Sequence, residues 1–283
     1  MLVNAKEMMN KARDGHYAVP HFNINNLEWT RFILEESEAM NSPLILGVSE
    51  GAKKYMGGFQ TVSAMVKALI KDLNITIPVA LHLDHGSSVE SCKEAIDAGF
   101  TSVMFDGSKY SLEENLAMTK EVVAYAKLHD VSVEAEIGHI GGEEDGVADE
   151  LAYAKVEDAV RLGLESGIDF LAPALGSVHG IYKGEPKLDF GRMKEIKEKT
   201  NLPLVLHGGS GIPDDMIRTG IDCGIAKLNI NTELQIAWSK AVRTFLNENV
   251  SVYDPRKIMK AGEAAMKETI KDKILLLGSN DRA

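Results

Sequence analysis

A closed (β/α)8 barrel, the TIM-barrel form of the α/β class, is the fold the sequence predicts, and three features point to it. Eight short apolar runs alternate with longer amphipathic stretches from one end to the other. Such runs suit parallel strands buried on both faces, which need crossover helices to return the chain. The length of 283 residues lies near the roughly 250 usual for the fold. Unusual polar residues also collect directly after the apolar runs, at the end of a barrel where its functional loops lie.

The first strand covers residues 17–22. A helix over 25–40 follows, with Leu27, Phe32, Ile33 and Leu34 on one side and Glu35, Glu36 and Glu38 outward. Residues 43–48 form the second strand, before a helix over 58–72. The third strand is 77–83, with a helix over 89–98. Strands four to eight are residues 102–105, 131–136, 169–174, 203–206 and 225–229. Helices over 112–129, 156–167, 189–200 and 214–220 separate them, and helical segments 232–247 and 255–277 close the chain. An open doubly wound sheet is the alternative. It needs fewer strands, and no Gly-x-Gly-x-x-Gly follows the first one. No Ser/Pro-rich linker or low-complexity block divides the chain, so a single domain is expected over residues 1–283.

Composition narrows the partners. Lys plus Arg number 31 against 42 Asp plus Glu, a formal net charge of −11. A chain this acidic repels nucleic acid and anionic membranes, so any phosphate must be held by a local pocket. Cys92 and Cys223 lack metal-type spacing, which suits a reduced, intracellular protein. Lys6 stands close to the N-terminus with no apolar run behind it, unlike a signal peptide. No stretch approaches the roughly 20 apolar residues of a membrane span. A cytoplasmic protein is expected.

Five segments carry the unusual residues: His82-Leu83-Asp84-His85-Gly86, Glu134 to Asp145, Gly176 to Gly180, His207 to Gly211, and Asn229 to Thr232. His85, His179 and His207 follow three different strands. Alone, each reads as a satisfied polar residue beside a turn. Together at the functional face, three neutral imidazoles suit a catalytic zinc with its fourth position open. His82 competes with His85, because strand alternation puts His82 and Asp84 on one face and His85 on the other unless the strand ends at Gly86. Spacing leaves that choice open. Asp84 suits a general acid or base, or a partner that orients a ligand histidine. Glycines from Gly138 to Gly146 bracket Glu143, Glu144 and Asp145, as a closing loop that delivers a base or a solvated acidic loop. The turns Gly176–Gly180 and Gly208–Gly211 can offer backbone N–H groups to a phosphate, with Ser210, Lys183 and Asn229 to Thr232 as further donors.

These residues resemble the class II fructose-bisphosphate aldolases, including the similar tagatose-bisphosphate enzymes. The likeness spans nearly the whole chain. Besides the segments above it includes Tyr17-Ala18-Val19, Phe22-Asn23, Val48-Ser49-Glu50-Gly51, Lys227 to Thr232 and Tyr253-Asp254-Pro255-Arg256. The resemblance implies a zinc-dependent lyase of glycolysis and gluconeogenesis that reversibly cleaves fructose 1,6-bisphosphate to two triose phosphates. Tagatose 1,6-bisphosphate, inverted only at C4, is the alternative substrate. It further implies that His85, His179 and His207 bind zinc, with Glu136 approaching the metal in an alternative position and Asp106 close by. Asp84 matches the acid/base for the C4 hydroxyl and Glu144 the base for the C1 proton of dihydroxyacetone phosphate. Gly180, Lys183, Gly208, Ser210, Asn229 and Thr232 match the ketose-phosphate end, beside which Asn231 stands where some members carry Asp. Asn23 and Ser49 resemble substrate-facing residues. Asp254 and Arg256 match the second phosphate's site, with Arg crossing from the other subunit of a homodimer. A monovalent cation near the first phosphate is also implied.

Three rivals are weaker. A Schiff-base aldolase needs a nucleophilic lysine, for which Lys227 is the candidate, and leaves three histidines unexplained. A zinc hydrolase of the amidohydrolase kind wants His-x-His on the first strand, where this chain has His21-Phe22-Asn23. A surface adhesin role would call for an export signal or a large apolar patch.

Overall fold

The computed structural model describes residues 2–144, 147–149, 152–180, 182 and 184–283, with the backbone alone at 143, 144 and 147–149. The chain opens with helix α1 (Lys6–Gly15) and strand β1 (Val19–Asn23), then α2 (Leu27–Ala39). Next come β2 (Leu44–Val48), α3 (Glu50–Met56), α4 (Phe59–Asp72), β3 (Val79–Gly86) and α5 (Val89–Asp97). They lead to β4 (Ser102–Phe105), α6 (Leu112–Leu128), β5 (Ser132–Ile137) and two short strands, β6 (Gly141–Glu144) and β7 (Val147–Asp149). After α7 (Val156–Ser166) come β8 (Phe170–Pro173), β9 (Val178–His179), α8 (Phe190–Thr200), β10 (Leu204–Leu206) and α9 (Asp214–Asp222). The chain closes with β11 (Ile225–Ile230), α10 (Thr232–Glu248), α11 (Pro255–Lys260) and α12 (Glu263–Leu277).

Strands β1, β11, β10, β8, β5, β4, β3 and β2 hydrogen-bond in that order into a closed barrel, every neighbouring pair parallel. This is the expected (β/α)8 fold, with each barrel strand within a few residues of its sequence-derived place. Helices α2, α5 and α6 start where Asn26, Ser88 and Ser111 accept a hydrogen bond from the backbone three residues on. Such caps contribute about 1 kcal/mol each.

The helical segment expected over 255–277 is two helices. Between them a Cβ on Gly262 would fall 2.1 Å from the Trp238 ring, whose indole N–H donates to the Met259 carbonyl. The tryptophan therefore takes the space a side chain at residue 262 would need, and only glycine fits there. Helix α1 was absent from the sequence pattern because Met8, Met9 and Ala12 are its only buried side chains. They join Ile45, Ala80, Phe170, Ala172 and Val205 in an apolar cluster.

Alternation along the strands stacks the barrel interior in layers. Above the apolar floor lies a buried polar layer of His21, His82, Glu134 and Lys227, each 0% exposed. Two residues further along their strands come Asn23, Asp84, Glu136 and Asn229, joined by His207 beyond β10. Gly47 makes room for this packing, since a Cβ there would lie 1.7 Å from His21 Nε2. Among the described residues no helix is long and apolar enough to cross a membrane.

Candidate active site at the carboxyl ends of the strands

The turn out of β3 brings two sequence neighbours to one place. His85 has φ 50°, and the β3–β4 register shifts between Leu83 and Gly86. That left-handed residue breaks the alternation, so Asp84 and His85 both line the same cleft. One ligand atom from each of His85, His179 and His207 lies within 4.8 Å of the other two. The ring centroids are 4.6 Å apart for His85–His207, 5.0 Å for His85–His179 and 6.0 Å for His179–His207. His82 sits deeper, its Nδ1 2.8 Å from Ser102 Oγ and its Nε2 3.6 Å from Glu134.

Carboxylates orient two of the three rings, His85 and His207. His85 Nδ1 is 3.0 Å from Asp106 Oδ2 and 3.6 Å from Glu136 Oε2. His207 Nε2 is 2.7 Å from Glu134 Oε1, whose other oxygen accepts from Lys227 Nζ at 2.8 Å. With Nε2–H donating to Glu134, the His207 lone pair lies on Nδ1, where Asn229 Nδ2 donates at 3.1 Å. Burial, and then the charges of its histidine neighbours, pushes the His179 pKa well below the ordinary value. Burial, followed by His85, lowers His207 to about 4. Neutral imidazoles held by carboxylates are the donor set a divalent zinc ion takes, so the residues fit that metal.

Asp84 is buried and accepts from Asn23 Nδ2 at 2.8 Å and Asn229 Nδ2 at 3.2 Å. His21 Nε2 lies 3.5 Å from its Oδ2. Burial opposes its charge, but the interactions with His21, His85 and His207 outweigh this and hold the carboxyl well below the usual range. Glu136 behaves oppositely. Burial first, then the Asp106 charge, raises its pKa well above the usual value.

The acidic segment after β5 takes part in a small sheet. Strand β6 pairs antiparallel with β7 and parallel with β9, setting Gly142 beside His179. Gly142 has φ 106°, and a Cβ there would fall 2.2 Å from the His179 carbonyl oxygen. Glycine alone lets the hairpin lie this close. Glu144 ends β6, and its side chain, like the whole of Lys183, lies outside the described residues.

The glycine turns after β8 and β10 meet across the mouth. Tyr182 joins them, accepting from Val178 N at 3.1 Å and donating to the Gly208 carbonyl at 3.0 Å. Gly208 and Gly180 both have positive φ, 63° and 83°. Ser210 Oγ accepts from Glu233 N at 3.3 Å, which ties the turn to the first residues of α10. Asn231 and Thr232 begin that 17-residue helix, whose N-terminus favours an anion. On the other side a cleft of about 330 Å³ is lined by Ser49, Asp84, His85, Asp106, Glu136 and His179, among others.

A family model described as "Fructose-bisphosphate aldolase class-II" matches residues 3–282. The chain belongs to the class II fructose-bisphosphate aldolase family. A fructose-bisphosphate aldolase of Geobacillus stearothermophilus is 57% identical over 283 residues, covering 100% of this chain and 99% of that protein. One of Staphylococcus aureus is 59% identical with the same coverage. Among solved structures, the YdjI aldolase from Escherichia coli K12 has a TM-score of 0.86 at 34% identity, covering 100% of both chains. The fructose-bisphosphate aldolase of Campylobacter jejuni has a TM-score of 0.85 at 25% identity, covering 100% of this chain and 97% of that one.

Of the residues that the class II aldolase resemblance singled out, the barrel draws together Asn23, Asp84, His85, Asp106, Glu136, His179, His207 and Asn229. Asp254 and Arg256 stand apart from the cleft, paired with each other at 2.9 Å, with Arg256 89% exposed. Glu134 and Tyr182 were not anticipated. Glu134 had a signal, standing two residues before Glu136 and so on the same strand face. Lys227 is no Schiff-base candidate in this setting, because its amine is ion-paired with Glu134 beneath the mouth.

Proposed function

We propose that the chain is a cytoplasmic, zinc-dependent aldolase that reversibly cleaves fructose 1,6-bisphosphate to dihydroxyacetone phosphate and glyceraldehyde 3-phosphate. The convergence of His85, His179 and His207 beside Asp84, in a member of this family, carries the reading. Held by those histidines, zinc supplies Lewis-acid polarisation of the ketone oxygen. Asp84, ionised and aimed by Asn23 and Asn229, takes the proton of the C4 hydroxyl during cleavage and returns it to the aldehyde oxygen during condensation. Glu144 moves the C1 proton of dihydroxyacetone phosphate from its place on the hairpin beside His179. Asp106 and Glu136 steady His85, and Glu136 serves as the added ligand in the metal's alternative position.

Gly180, Lys183, Gly208, Ser210, Asn229 and Thr232 hold the ketose phosphate, with Asn231 and a monovalent cation beside it. Ser49 faces the substrate from just beyond the end of β2. In a homodimer, Arg256 reaches the neighbouring subunit's site with Asp254 behind it. The test is cleavage of fructose and tagatose 1,6-bisphosphates, each after chelation and again after zinc is restored. Chelator-sensitive cleavage that zinc restores, faster on the fructose substrate, is expected. Cleavage that survives complete metal removal overturns the zinc mechanism, and faster tagatose cleavage reassigns the substrate.

A further inference from the structure

A sugar bisphosphate brings a dianion to each end of the site. We propose that Lys109, on the loop after β4, binds the phosphate carried by the aldehyde half, an inference that rests on the aldolase reading above. The ring order of the strands sets the geometry. Round the barrel β4 stands opposite β11 and β3 opposite β10. A ligand whose first phosphate lies among the loops after β8, β10 and β11, with its carbonyl at the histidines, points its other end toward β2, β3 and β4, the strands opposite.

That side is the acidic cleft. Asp84, Asp106, Glu136 and Glu50 face it, and they would repel a phosphate without a cation to offset them. Lys109 is the one Lys or Arg lining the cleft among the described residues. No carboxylate claims it, since among the described residues Lys109 makes no ion pair. Glu50 is already satisfied, accepting from Ser87 N at 3.1 Å and Ser87 Oγ at 2.9 Å. The Lys109 Nζ lies 5.2 Å from the Tyr110 ring centroid, a contact that restrains an otherwise exposed side chain. An ammonium on a flexible stem is suited to a phosphate as a point charge. Lys109 supplies its cation from within the chain that carries the histidines, beside the Arg256 that reaches the site from the neighbouring subunit.

The test compares condensation of dihydroxyacetone phosphate with glyceraldehyde 3-phosphate and with unphosphorylated glyceraldehyde. Wild type, Lys109→Gln and Lys109→Arg are assayed with zinc supplied. Lys109→Gln is expected to lower kcat/KM for the phosphorylated aldehyde by on the order of tenfold relative to glyceraldehyde, mainly through KM. Lys109→Arg should keep most of the wild-type preference. A wild-type preference unchanged in Lys109→Gln overturns the assignment while leaving the aldolase reading intact. Wild-type protein that condenses neither aldehyde overturns the aldolase reading and this assignment with it.

Discussion

Glu134 illustrates how much one buried side chain controls. One of its oxygens faces His207 Nε2 and the other accepts from Lys227, all three groups fully buried. It thereby sets the tautomer His207 presents to the mouth and balances the lysine's charge. Glu134→Gln keeps the shape but removes the charge. Zinc affinity should fall about 10–100-fold, as for other partners of ligand histidines. Lys227 would be left buried without its counter-ion, a loss of roughly 3–5 kcal/mol in stability. Competition against a chromophoric chelator, with thermal melting alongside, measures both. Wild-type zinc affinity in the variant would show that His207 does not depend on Glu134.

The hairpin of β6 and β7 is joined to the barrel mouth through β9, so its position is tied to that of His179. Gly142 is the close point. In Gly142→Ala the methyl group meets the His179 carbonyl, and the backbone must leave a φ of 106°. Strain of about 1–3 kcal/mol is expected there. Because the hairpin lies outside the barrel core, the loss should show in function before stability. Turnover should fall by roughly tenfold or more, with the thermal midpoint lowered by only a few degrees. Steady-state kinetics and calorimetry on the same preparation separate the two. A large drop in midpoint with normal turnover would mean that the hairpin supports the fold and not the chemistry.

Acid should destabilise the metal-free barrel as a whole. Burial lowers the pKa of His21, His82, His179 and His207, the last to about 4. A histidine lowered on folding is protonated more readily in the unfolded chain, so acid favours unfolding. The loss begins near the ordinary value of 6.5 and continues toward the folded pKa, about 4 for His207. Glu136, raised on folding, acts with the opposite sign and softens the slope. Melting temperature followed from neutral pH downward should therefore fall below 6.5. Zinc should raise the midpoint near neutrality by mass action and lose that effect in acid, as protons compete for the imidazoles. A flat profile would contradict the burial of neutral histidines.

Much of this molecule was legible along the chain. Apolar runs marked all eight barrel strands, because burial on both faces leaves a local signature, and the ends of those runs marked the mouth. Positions after different strand ends and the family likeness pointed to His85, His179, His207 and Asp84. Spacing alone could not choose between His82 and His85, since that choice lies in a left-handed turn and a register shift at the end of β3. Nor could it find helix α1 or the packing of Trp238 on Gly262 before α12, which depend on tertiary contacts. Glu134, Lys227 and Tyr182 received their partners only when distant strands closed into a ring. Periodicity records which face of an element is buried, whereas a site is a convergence of side chains within a few ångströms. Barrel closure is what brings those side chains together.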